Sequence, residues 1–265
     1  MKKTIPLIGL LGLIWLLLCS HEFWITASEF RILPGDRVQI SLWVGENFTG
    51  DPWEGRANRI TKLIDSHGKY QQNLIDSIHG KGVDSIYFSL KEKGTHCISL
   101  ATDFKFIELE AEKFNAYLEE DGLETAIAVR RERRETNKPG RERYCRNAKT
   151  LIQAGAFPGD FYSDATGLTC EIIPLVNPYT INENDSITYE LRFENKPLGN
   201  VLIRHWNKPT ANDQHLIAVK RTSPTGLVTF EKKPGETLIS AVYMRECPDK
   251  SIADWESYWT GITFR

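Results

Sequence analysis

His21 could carry the most distinctive chemistry in this chain. A protein cut immediately before it presents an α-amine and an imidazole on one residue, two neighbouring nitrogen ligands that suit copper or nickel. One further imidazole completes a plausible site. Of the other five histidines, His96, His205 and His215 lie on or beside predicted strands, whereas His67 and His79 fall in polar sequence that reads as loop. The competing reading leaves His21 as a plain terminal residue and the rest as surface or hydrogen-bonded histidines.

The segment before His21 makes that cut plausible. Met1-Lys2-Lys3 is basic, and Ile5 to Leu18 is an apolar run. As a helix it reaches roughly 21 Å, short of the ~30 Å hydrocarbon core of a bilayer, so residues 1–20 read as a removed signal peptide. Ser20 is a suitable small residue before the cut, and the mature protein is then expected in the periplasm or on the cell surface. Cys19 offers a rival, lipid-anchored form, although Leu18 is bulky for such a site.

Composition excludes several classes. With 41% hydrophobic and 26% charged residues the chain is an ordinary folded protein. Loss of Lys2 and Lys3 takes the formal charge from -2 to -4, too small a bias to suggest a nucleic-acid partner. Cys97, Cys145, Cys170 and Cys247 remain after the cut, either as up to two disulfides or as buried thiols, and they lack any C-x-x-C spacing for zinc. No nucleophile elbow, phosphate loop or His-Glu-x-x-His element is present, so a catalyst is not expected.

Periodicity supplies the frame. Val38, Ile40, Leu42 and Val44 alternate, as do Ile86, Phe88 and Leu90, and His96 to Leu100 follows Gly94 as a further strand. Residues 21–109 are expected to form a β-sandwich. From Glu110 the period changes to that of helices: Phe114, Tyr117 and Leu118 share a face, Leu123 to Glu135 continues, and Pro139 opens a third helix to about Gln153. Residues 110–167 therefore read as a helical connector. Seven short runs between Glu171 and Phe264, separated by turns such as Asn195-Lys-Pro-Leu-Gly199 and Pro234-Gly235, predict an immunoglobulin-like sandwich over 168–265. The fold class is mainly β.

The basic run Arg130-Arg-Glu-Arg-Arg-Glu135 reads as a solvated helical face with i,i+3 or i,i+4 pairs, with peripheral association to anionic lipid as its alternative. Trp24, Trp43, Trp53, Trp206, Trp255 and Trp259 suggest core packing before a sugar platform.

Taken together, His21-Glu-Phe-Trp24, Phe106-Ile-Glu-Leu109, Phe114-Asn-Ala-Tyr-Leu118, Asp121-Gly-Leu123, Tyr144 to Lys149, Glu171-Ile-Ile-Pro174, Asn177-Pro-Tyr179, Lys196-Pro-Leu198 and Trp259 to Phe264 resemble the exported bacterial proteins of domain-of-unknown-function family 4198. The resemblance implies a periplasmic or surface protein with two β domains. Some relatives are associated with nickel or cobalt uptake, which implies one of those divalent ions held by His21 and His96, beside the copper that the His21 chelate also suits, and a membrane metal transporter as partner. The alternative is a metal-free structural module that binds a partner or glycan through edges or loops.

Overall fold

A computed structural model describes residues 22–159 and 165–265. Strands dominate the first part: β1 (Glu22–Ala27), β2 (Arg31–Ile32), β3 (Arg37–Glu46), β4 (Thr49–Pro52), β5 (Ile60–His67), β6 (Tyr70–Asn73), β7 (Ser85–Ser89), β8 (Gly94–Thr102) and β9 (Lys105–Leu109). Two helices follow, α1 (Ala111–Glu120) and α2 (Glu124–Glu132). Then come β10 (Gly140–Ala154), β11 (Cys170–Pro174), β12 (Ser186–Phe193), β13 (Lys196–Pro197), β14 (Leu202–Thr210), β15 (Asp213–Arg221), β16 (Leu227–Glu231), β17 (Glu236–Glu246) and β18 (Trp255–Phe264).

Two sandwiches share one sheet. Its order is β15-β14-β17-β18-β10-β8-β5-β6, with β2 and β9 also paired to β10. A four-stranded sheet of β1, β3, β4 and β7 covers part of one face, and a second one of β11, β12, β13 and β16 covers the other. Alternation along β10 explains how one strand serves both: Ala148 and Ile152 enter the first core, Cys145 and Leu151 the second. The helices lie on the same face as the first small sheet, where Phe114, Tyr117 and Leu118 pack on Trp255 and Trp259. Burying each such side chain contributes roughly 1.5–3 kcal/mol.

The mainly β class with two sandwiches holds, and the seven strands expected after residue 170 are all present. The connector differs: its helical part is only α1 and α2, and the expected helix from Pro139 to about Gln153 is instead the long strand β10. Both faces of β10 are covered, so no alternation of apolar and polar residues marks it. Lys149, buried on it, pairs across the sheets, Nζ donating to Glu171 Oε2 at 3.1 Å, and half-buried Arg143 reaches Glu256 on neighbouring β18. Gly140 at its start lies under α1, where a Cβ would come within 2.1 Å of the Phe114 ring.

The basic run also pairs differently from expectation. Lys138 makes one i,i+3 pair with Glu135, but Arg133 grips Glu246 with two hydrogen bonds of 2.8 and 3.0 Å, and Arg130 is buried against Phe114. Tertiary partners on β17 replace local ones. Trp24, Trp53, Trp206, Trp255 and Trp259 are core residues and Trp43 is partly buried. Cys97, Cys145, Cys170 and Cys247 are buried free thiols. Among the described residues no helix is long and apolar enough to cross a membrane.

Candidate metal centre

Asp65, His67 and His96 come together where β5 and β8 pair. The antiparallel register sets Leu63 opposite Leu100, Asp65 opposite Ile98 and Ser66 opposite Cys97, so the next pair is His67 with His96. Side chains at every second position share a face. Leu63, Ile98 and Leu100 therefore point into the first core, and the same two rows continue outward as Asp65, His67 and His96. Gly94, at φ +127°, turns the chain into β8 and leaves the Glu92 carbonyl beside the His96 ring.

His96 is held on both sides. Its Nδ1 lies 2.9 Å from each Asp65 carboxylate oxygen, and its Nε2 lies 3.0 Å from the Glu92 carbonyl oxygen. A carboxylate and a carbonyl only accept, so satisfying both contacts requires both ring nitrogens to donate, which makes the ring an imidazolium. Burial is the largest influence and opposes that charge, but the hydrogen bond and charge of Asp65 together with Glu92 outweigh it, and the His96 pKa is raised. Asp65 and His96 thus form a buried ion pair.

His67 is less satisfied. Its Nδ1 is buried without a hydrogen-bond partner and lies 3.6 Å from Asp65 Oδ2, beyond hydrogen-bond length. The ring sits 4.6 Å from that of His96 and stacks on Tyr70 at 5.7 Å. Ligand atoms of the three residues all lie within 4.8 Å of one another.

Two imidazoles and one carboxylate fit a transition-metal ion by donor type. Metal–ligand bonds of roughly 2.0–2.2 Å in a tetrahedron separate donor atoms by about 3.3–3.6 Å. The 2.9 and 3.6 Å contacts to Asp65 bracket that span. The cost is chemical: His96 must give up the proton it shares with Asp65.

Of the histidines singled out from sequence, His96 is in this cluster, and His21 lies outside the described residues. His67 is on strand β5 and not in a loop, which corrects the reading that set it aside. His205 faces the second core beside Phe230 with neither ring nitrogen partnered; burial, then Lys233 and Lys220, lower its pKa to about 4, so it is neutral. His215 is exposed on β15, with Nε2 2.7 Å from Asp213. Asp65 went unnoticed, although Asp-x-His on a strand puts both residues on one face.

Residues 18–245 match a protein family described as a domain of unknown function (DUF4198). No curated protein matches the chain. Among solved structures, the D0-D1 domain of intimin aligns at 12% identity over 92% of this chain and 97% of that one, with a TM-score of 0.21. Salmonella alpha-2-macroglobulin reacted with methylamine aligns at 12% identity over 91% of this chain and 16% of its own, with a TM-score of 0.21. A DUF3823 family protein from Bacteroides uniformis aligns at 8% identity over 93% and 100%, with a TM-score of 0.20. Likenesses this distant carry no argument about function.

Proposed function

The chain belongs to the DUF4198 family, and on that footing we propose that it is a non-catalytic protein that holds a divalent transition-metal ion between Asp65, His67 and His96. The observation that carries this reading is the buried, unpartnered Nδ1 of His67 facing the Asp65 carboxylate beside His96. An orphaned polar atom in such a place is costly unless a ligand meets it.

In this reading the leader directs the protein to the periplasm or cell surface, where it passes nickel, cobalt or copper to a membrane importer. Binding displaces the His96 proton, so affinity falls as pH falls, and a three-donor site with open positions exchanges its ion readily. His21, freed by processing, is a further donor for the same purpose. Enzymatic turnover has no part in it.

One observation favours a second reading, a metal-free module that binds a partner or glycan. Both His96 nitrogens already have oxygen partners, so the Asp65–His96 pair is complete without a metal. Calorimetric titration of the processed protein with nickel, cobalt and copper separates the two. Heat that is lost in His67→Ala and His96→Ala but kept in His21→Ala is the expected result; heat lost only in His21→Ala moves the site to the amino terminus, and no heat at all leaves the module reading.

A further inference from the structure

In the middle of β10, Arg146 is buried to 9% exposure and makes no hydrogen bond or ion pair through its guanidinium among the described residues. From Ile152, which pairs with His96, to Arg146 is six positions, roughly 20 Å along the strand. The guanidinium carbon lies 5.1 Å from the Phe23 ring centroid and 5.3 Å from that of Tyr144. Those contacts are with aromatic rings, and among the described residues the N–H groups of the fork meet no hydrogen-bond acceptor. Burial, together with the charge of Arg59, lowers its pKa to about 10, so it remains a cation at neutral pH.

Arg146 lines an open groove of about 1700 Å³ bounded by the β3–β4 hairpin, the 53–59 segment, and Phe104 and Tyr144 beside β9 and β10. Arg59 is already neutralised by Asp103 at 2.8 Å. We propose that this groove binds an organic monocarboxylate, its carboxylate seated on the Arg146 fork and its body, a flat or puckered ring, against Tyr144. A planar guanidinium matches a carboxylate through two parallel hydrogen bonds. Tyr144, half-buried, is the aromatic wall on the Arg146 side of the sheet, whereas the Phe104 ring lies under Arg143 at 4.5 Å and against Tyr258 on the other face. Glu46, Asp51, Glu54 and Asp84 also line the groove, against the further cations Arg56 and Lys105, so beyond Arg146 the lining carries a small negative excess that disfavours a multiply charged anion.

The site is separate from the metal cluster, and its test does not depend on any metal. The full chain, with chelator present, is titrated calorimetrically with benzoate and with glucuronate, and in parallel with their neutral counterparts benzyl alcohol and glucose and with inorganic phosphate. Saturable binding of either carboxylate is expected, with the neutral compounds and phosphate at least tenfold weaker. Arg146→Lys keeps the charge but loses the fork and is expected to weaken binding by roughly ten- to a hundredfold. Tyr144→Ala, on the groove wall, is expected to weaken it several-fold and serves if the arginine variant does not fold. The proposal is overturned if neither carboxylate saturates, if a neutral counterpart or phosphate binds as tightly, or if both variants bind like the wild type.

Discussion

Glu142 offers a quantitative check on the packing of α1 over the shared sheet. The residue is 1% exposed, accepts hydrogen bonds on Oε1 from Tyr117 at 3.3 Å and from Ser257, and has no cation within ion-pair distance among the described residues. Burial dominates and, despite those two hydrogen bonds, raises its pKa from 4.5 to about 7, with Asp121 pushing the same way. A carboxyl that titrates higher folded than unfolded holds more protons in the native state between those two values, so stability falls as pH rises through them. Integrated, the penalty is about 1 kcal/mol at pH 5 and about 3 kcal/mol at pH 8. Glu142→Gln keeps an acceptor for Tyr117 and Ser257 but never ionises, so the penalty vanishes. Urea unfolding of both proteins, followed by tryptophan fluorescence at pH 5, 6.5 and 8, should show the variant gaining on the wild type by about 2 kcal/mol across that range. An unchanging difference, or a variant that loses ground as pH rises, would refute the claim that Glu142 is protonated in the folded protein near neutrality.

Lys149→Met should cost about 3–5 kcal/mol in urea unfolding because it strands the buried Glu171 carboxylate, and Lys149→Met with Glu171→Leu should recover most of that loss. A double variant as unstable as the single one would mean that the pair is not what holds β10 to β11. The thiols of Cys97 and Cys145, pushed up to about 12 by burial, and of Cys170, raised further by the same cause, should not react with an aromatic disulfide reagent in the native protein at pH 8. All should react in urea, and fast native reaction at any of the three would show that the second core opens.

Legibility in the sequence followed whether a strand has one covered face or two. β3, β7 and the strands from β11 onward alternate apolar with polar residues, or end in turns rich in Gly, Pro and Asn, and they stand close to where the pattern puts them. β10 failed that pattern because Glu142, Arg143, Lys149 and Gln153 point into cores or sheet contacts, with partners found only when distant strands arrive. The candidate site was half legible for the same reason. His96 follows a turn glycine and opens a strand of small and apolar residues, whereas Leu63-Ile-Asp-Ser-His67 places its polar residues at interior positions and so reads as loop. What turns Asp65 and His67 into a site is the register with β8, which pairs positions about thirty residues apart and leaves no local trace.

The position of β18 governs the order in which this protein can assemble. It lies between β10 and β17, parallel to the first and antiparallel to the second, and its register with β10 joins Glu142 to Trp255, 113 positions later. Until residues 255–264 dock, the 60–109 strands and the 202–246 strands are two open-edged halves with apolar surface showing. Loop closure over such a distance is slow. The chain therefore spends its early life soft and unfinished, with aggregation-prone strand edges showing until the last strand arrives.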